Sequence, residues 1–290
     1  MAVGRAVSTE VVPGGVVVHH PVRAALREVA LLGVLMVAYS RIRLAAGDDL
    51  DTAVGHARGL LRIERALHLD VESAMNAGLH AVPALEVAAS YWYAALHYTV
   101  TPIALVLLYR HRPQDYRRAR TALVLATAVA LVCYVTLPTA PPRLVGGYTD
   151  VLLSTSHVGW WGAEGSAVRG TGGAVDQFAA MPSMHVGWAL WSGLVFRRLA
   201  RSGRQRALAV AYPLGTTAVV LATANHWLLD ALAGALLVAA AWLVTMRRPR
   251  ADPRAPGRTS VRLRESIRGW LGACTAVSYT HLTLPTNREV

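Results

Sequence analysis

The chain has 290 residues, 54% of them hydrophobic and only 16% charged, with a mean hydropathy of +0.36. A soluble domain carries about 25% charged residues, so the deficit excludes an ordinary soluble domain and fits a polytopic membrane protein, each crossing of which needs roughly 20 mostly apolar residues. The net charge of +12 comes from Arg alone, with no Lys, and these Arg fall in short stretches between apolar runs; that distribution excludes a nucleic-acid surface and reads as an orientation signal.

Residues 1–20 are polar to small, broken at Pro13-Gly14-Gly15, and read as a mobile N-terminal segment without signal-peptide features. A single six-transmembrane domain is expected over 21–246. Its first apolar run is Ala24 to Leu44, interrupted by Arg27 and Glu28 and closed by the turn signal Gly47-Asp48-Asp49. Residues 50–81 set Leu60, Leu61, Ile63, Leu67 and Leu69 against Arg58, Arg62, Glu64 and Arg65. That stretch is too polar to span and reads as an amphipathic helix lying in the interface. Further crossings are predicted at Val82–Tyr109, Ala119–Leu137, Met181–Phe196, Ala207–Ala224 and Trp227–Met246. The predicted fold is therefore all-α: a polytopic membrane six-helix bundle with an interfacial helix after the first crossing. A Gly/Ser/Thr-rich connection, 138–180, is long enough to expect a function in it. An Arg-rich tail occupies 247–276. Residues 277–290 resemble the translation of a transposon-type sequencing adapter, so His281 is set aside. Cys133 and Cys274 imply no disulfide framework.

The turns at 110–120 and 197–206 and the tail are rich in Arg, whereas 138–180 holds only Arg143 and Arg169. The positive-inside rule then puts both termini in the cytoplasm and the 41–82 and 138–180 segments outside. The Lys-free, Arg-, Ala- and Gly-rich composition points to a high-GC bacterial genome, hence a bacterial plasma membrane. In this orientation Arg143, His185, His226 and Asp230 all fall at the outer ends of crossings.

His226 and Asp230 are four apart, so on a helix they share a face. A carboxylate there can take the Nδ1 proton of the imidazole and leave Nε2 as a nucleophile. His185 follows Pro182-Ser183, a helix start whose amides bind anions; Ser183 is a candidate phosphate donor and His185 a general acid. Arg143, in a Pro-rich exit from the third crossing, carries a permanent charge suited to gripping phosphate. Each has a plainer reading as a capping, packing or anchoring residue. His-x3-Asp also admits a cation, but hard ions need more oxygen ligands and zinc a third strong ligand, so no metal site is assigned. His97, among Tyr91, Trp92 and Tyr93, reads as a buried hydrogen-bonding group. Trp160-Trp161 reads as either a headgroup contact or a lid.

These motifs resemble those of the type 2 phosphatidic acid phosphatase superfamily. Ala179-Ala180-Met181-Pro182-Ser183-Met184-His185 and Thr223-Ala224-Asn225-His226-Trp227-Leu228-Leu229-Asp230 look like its second and third motifs. Together with Ile63-Glu64-Arg65 and Ala140-Pro141-Pro142-Arg143-Leu144, they are closest to the branch related to inositol phosphorylceramide synthase. The resemblance covers roughly 50–246. It implies a membrane lipid or lipid-linked phosphate as substrate, His226 as a nucleophile that forms a phosphohistidine, Asp230 orienting it, His185 protonating the leaving alcohol and Arg143 holding phosphate. It implies no metal or organic cofactor. The chain departs from the phosphatase pattern in having no Lys in its first motif, Val220 in place of an Arg, and Met184 in place of a Gly. Both water and an alcohol remain open as acceptor. A non-catalytic lipid carrier and an ion or solute path are the alternatives from other classes.

Overall fold

A computed structural model describes residues 26–34, 37, 41, 49–162 and 177–247. The described residues up to Met246 belong to one compact unit. The predicted N-terminal segment 1–20, the tail beyond Arg247, the adapter-like segment 277–290 and residues 163–176 lie outside the described residues. What is described is helical: α1 (Leu50–Ala66), α2 (Glu72–His80), α3 (Pro83–His111), α4 (Pro113–Thr136), a 3-10 turn (Pro142–Leu144), the short α5 (Val151–Ser154), α6 (Met184–Leu199), α7 (Gly203–Ala222) and α8 (Leu228–Met246).

The helix starts follow local chemistry. Asp49 caps α1, accepting the Thr52 N–H at 3.1 Å. α3 and α4 each open on a Pro, where the missing N–H costs nothing. Ser202 and Gln205 close a reciprocal capping box at the start of α7.

Among the described residues, three helices are long and apolar enough to cross a membrane: α3, α4 and α8, with 29, 24 and 19 residues. Their outward side chains, such as Ile103, Val106, Val132, Leu236, Leu243 and Val244, are exposed and apolar. A lipid-facing surface has this character, because lipid tails offer nothing to a polar group. The chain is a membrane protein on this footing. α6 and α7 form where crossings are predicted, but α6 has only 16 residues, because Ser183 caps it at Met184 instead of Met181. From 24–44, residues 26–34 are helical and lie beside α4; Glu28, the charge that interrupts the run, pairs with Arg120.

α6 is the central helix. Met184, Val186, Trp188, Trp191 and Val195 are all buried, against α3, α4, α7 and α8. A stripe of small residues on α4 (Ala119, Ala122, Ala126 and Ala130), fully buried, admits two indole rings. Trp191 Nε1 donates to the Ala119 carbonyl at 2.8 Å and Trp188 Nε1 to Thr127 Oγ1 at 3.0 Å, so neither N–H is stranded. His185 begins α6 and Arg198 ends it, about 20 Å along the axis at 1.5 Å per residue. Arg198 lies 3.6 Å from Asp115 of α4. The Arg-rich turns thus gather at the end of the bundle away from His185.

The expected interfacial helix takes another form. It is two helices, broken near His68, whose φ is 56°. Its charges are not all on the outside. Glu64 and Glu72 are fully buried, whereas Ile63 and Leu67 are more than half exposed. The reason is that both carboxylates bond the start of α8, and burial follows the hydrogen bonds rather than the hydropathy.

α8 and the start of α6 touch at backbone distance. A Cβ on Gly234 would stand 2.0 Å from the Ser183 carbonyl oxygen, and backbone cannot swing aside. Gly234→Ala should therefore lower stability by about 2 kcal/mol or more, the usual cost of overpacking. Gly55→Ala, with open space around it, serves as the control. Thermal unfolding of both variants in detergent checks this; equal midpoints would contradict the close contact.

Candidate active site

The loop between α7 and α8 carries His226 and folds back on its own helix. Asn225 and His226 both donate their backbone N–H to the Val220 carbonyl, at 3.1 and 3.2 Å, and Ala224 adopts φ 56° to allow it. Ser183 N–H donates to the Asp230 carbonyl at 2.9 Å, joining this loop to the start of α6. The two motifs, forty-odd residues apart in sequence, share one backbone junction.

His226 Nδ1 lies 3.0 Å from the Ala180 carbonyl oxygen and 3.7 Å from Asp230 Oδ2. A backbone carbonyl only accepts, so Nδ1 carries the proton and Nε2 presents its lone pair. That Nε2 lies 3.4 Å from His185 Nδ1. Asp230 does stand beside Nδ1, as its spacing suggests, but the shorter contact of that nitrogen is to the Ala180 carbonyl. His226 precedes the helix rather than sitting on its face, and the i, i+4 pair forms across the helix start. The direct bond goes to Ala180. Asp230 Oδ2 accepts the Trp227 N–H at 2.9 Å, and the same oxygen stands 3.7 Å from the imidazole Nδ1. His226 and Asp230 are both buried.

Pro182 is not the first residue of the helix; Ser183 caps it, its Oγ accepting the Val186 N–H. Ser183 is fully buried. Tyr134 Oη donates to the Pro182 carbonyl at 2.8 Å, fixing the turn. The His185 ring stacks on Tyr93 with centroids 4.3 Å apart, and His97 meets it edge-on at the same separation. His97 does make the expected buried bond, Nδ1 donating to the Tyr93 carbonyl at 3.1 Å, and it also stands within the histidine cluster.

Arg143 arrives on the 3-10 turn after α4. Its N–H donates to the Ala224 carbonyl at 3.0 Å. Its Nε donates to Asn225 Oδ1 and one terminal nitrogen to Asp150 Oδ2, both at 3.1 Å, with the side chain only 4% exposed. A buried guanidinium held at two points keeps its orientation. All five predicted residues thus fall around one junction.

Sequence reasoning missed Asn225, Asp150, Glu64, Glu72 and the Ala180 carbonyl. Asn225 was signalled by its place before His226. Glu64 and Ala180 lie within motif-like segments that give neither a role; Glu72 and Asp150 had no local signal, and Glu64 and Glu72 meet residues some 160 positions away. Trp161 is a packing residue: it is fully buried and donates to Thr155 Oγ1 at 3.1 Å. Among the described residues no set of three or more His, Cys, Asp or Glu side chains is arranged to hold a metal ion.

Burial, with Glu72, Asp230 and Asp70 adding repulsion, pushes the Glu64 carboxyl up from its ordinary 4.5 to about 7; burial also pushes Glu72 up. The folded protein therefore holds the Glu64 proton more tightly than the unfolded chain. Its contribution to stability is complete below pH 4.5 and is lost as pH rises through about 7. The thermal midpoint should fall across that window, and Glu64→Gln should flatten the fall. A slope unchanged by the substitution would contradict a buried, titrating Glu64.

No match was found among curated proteins or solved structures. A family model described as PAP2 superfamily matches residues 58–244, a stretch that contains Glu64, Arg143, Ser183, His185, His226 and Asp230. The match takes in well over half of the sequence and every residue gathered at this junction, and the chain belongs to the PAP2 superfamily.

Proposed function

We propose that the chain is an integral membrane lipid phosphatase or lipid head-group phosphotransferase that works through a phosphohistidine on His226. Membership of a superfamily of membrane-associated lipid-phosphate phosphatases supports the reaction class. The observation that carries the mechanism is the His226 ring, with Nδ1 tied to a carbonyl and Nε2 facing His185.

In the first step the Nε2 lone pair of His226 attacks phosphorus, and the bond from phosphorus to the lipid oxygen breaks. His185 gives that oxygen its proton. A phosphorus between the two nitrogens replaces their direct contact. The imidazole becomes cationic as the P–N bond forms, and the Asp230 charge beside it stabilises that state. Arg143, aligned by Asp150 and Asn225, holds the non-bridging oxygens. In the second step water or an alcohol gives a proton to His185 and attacks phosphorus, the P–N bond breaks, and His226 is restored.

Between the two acceptors, charge favours the alcohol and the branch resembling inositol phosphorylceramide synthase. A phosphomonoester brings two negative charges, a phosphodiester head group one. Val220, which stands where the phosphatases carry an Arg, is fully buried among Tyr93, Val186 and Leu221 and offers no cation, and Arg143 already shares its charge with Asp150. The active site faces outward and both termini are cytoplasmic. The Arg-rich turns at the opposite end of α6 support that orientation.

The test is turnover by purified protein in detergent, with phosphatidic acid, a polyprenyl diphosphate and an inositol phospholipid, each with and without an alcohol acceptor. His226→Ala should abolish turnover with the fold intact, and Asp230→Asn should slow it roughly a hundredfold. Wild-type turnover in His226→Ala membranes would sink the mechanism. Binding of these lipids without turnover would establish a carrier instead.

A further inference from the structure

Glu64 and Glu72 touch none of the reacting groups named above, yet both are fully buried and both end on the residues that follow His226. Glu72 Oε1 accepts the Leu228 N–H at 2.6 Å, and Glu64 Oε1 accepts the Leu229 N–H at 2.8 Å. Asp230 Oδ2 accepts the Trp227 N–H at 2.9 Å. These are the amides a helix leaves without an internal partner at its start. Three consecutive amides are thus held by three carboxylates, two of them from helices far upstream.

The same upstream segment is tied to the rest of the junction. Asn76 of α2 donates to the Ala222 and Thr149 carbonyls at 2.9 and 3.1 Å and accepts the Thr149 N–H at 2.8 Å. Ala140 N–H donates to the Ala53 carbonyl, and Trp227 Nε1 to the Ala140 carbonyl. α1 and α2 form a bracket around the His226 loop and the Arg143 turn.

Burying carboxylates is costly, and a Ser or Asn near residue 227 would satisfy a starting amide at far less cost. What a carboxylate adds is negative charge at the start of α8, next to Asp230, which itself stands beside an imidazole that becomes cationic during phosphoryl transfer. On the reading that His226 is the nucleophile, we propose that Glu64 and Glu72 are positioning residues for it, acting through the amides of Leu228 and Leu229 and through their charge.

The groups that face the pair are Asp230 from α8, with His226 beyond it, Tyr148 from the loop before α5, and Asp70 and Arg65 from their own segment, the last two 3.8 Å apart. Glu64, held near pH 7 by burial, changes charge in the physiological range. Protonation weakens it as an acceptor for Leu229 and removes a negative charge from behind His226. Activity should therefore fall as pH drops through about 7.

Two measurements test this on full-length protein in detergent: kcat and KM against pH, and the titration of the His226 ring by NMR on 15N-histidine-labelled protein, with the signal identified by His226→Ala. Wild type is compared with Glu64→Gln, Glu72→Gln and Glu64→Asp. Each Gln variant should lower kcat about tenfold per folded molecule with KM within about twofold, a displacement effect at the nucleophile. Glu64→Gln should erase the fall near neutrality, and Glu64→Asp should restore part of it. The His226 midpoint should be lower in the Gln variants than in the wild type. If all four proteins share one kcat, one pH profile and one His226 midpoint, the positioning role is overturned, even where thermal stability differs. If the wild type turns over none of the lipids, the reaction proposed above fails. The NMR titration then still decides this proposal: a lowered midpoint supports it, an unchanged one overturns it.

Discussion

The hydrogen bond from His226 Nδ1 to the Ala180 carbonyl decides which ring nitrogen has a lone pair to offer. It also ties the loop after α7 to the turn before α6. Everything else near the site holds those two pieces of backbone in place. Ser183 N–H bonds the Asp230 carbonyl, Gly234 lets α8 come within backbone contact of Ser183, and Tyr134 pins the Pro182 carbonyl. With the tautomer fixed by a neutral carbonyl, Asp230 holds the Trp227 N–H and stands beside the ring; in the proposed mechanism it acts by charge.

The site is built from buried polar groups in a protein whose outer face is apolar. Burying such groups is costly unless they are hydrogen-bonded, and each finds at least one partner here. The partners come from across the chain: Asp150 and Asn225 for Arg143, amides of α8 for Glu64 and Glu72, carbonyls for His97 and His226. Small residues make this possible. The Ala stripe of α4 and Gly187, Gly193 and Gly234 bring helices close enough that backbone groups act as site components.

Much of this was legible in the sequence. Long apolar runs give α3, α4 and α8, because a lipid-exposed helix must be apolar along its length. Pro182-Ser183-Met184-His185 and His226 with Asp230 come together at one junction, because capping and short polar motifs leave local spacing signals. What was not legible depends on distant partners. Glu64 sits in a stretch whose pattern reads as a surface helix, and only its bond to Leu229 explains its burial. The i, i+4 spacing of His226 and Asp230 does bring the two together, but across the helix start and not along a helix face, because the helix begins two residues after His226. Spacing alone does not show where a helix begins.

The most direct measurement is to trap the covalent intermediate. Wild-type protein and His226→Ala would each be mixed with a 32P-labelled lipid phosphate substrate, denatured within the first turnover, and digested for mass spectrometry. A phosphoramidate that survives base, is lost in acid and maps to His226 is the result the account predicts. Label on any other residue, or equal label in His226→Ala, would contradict it.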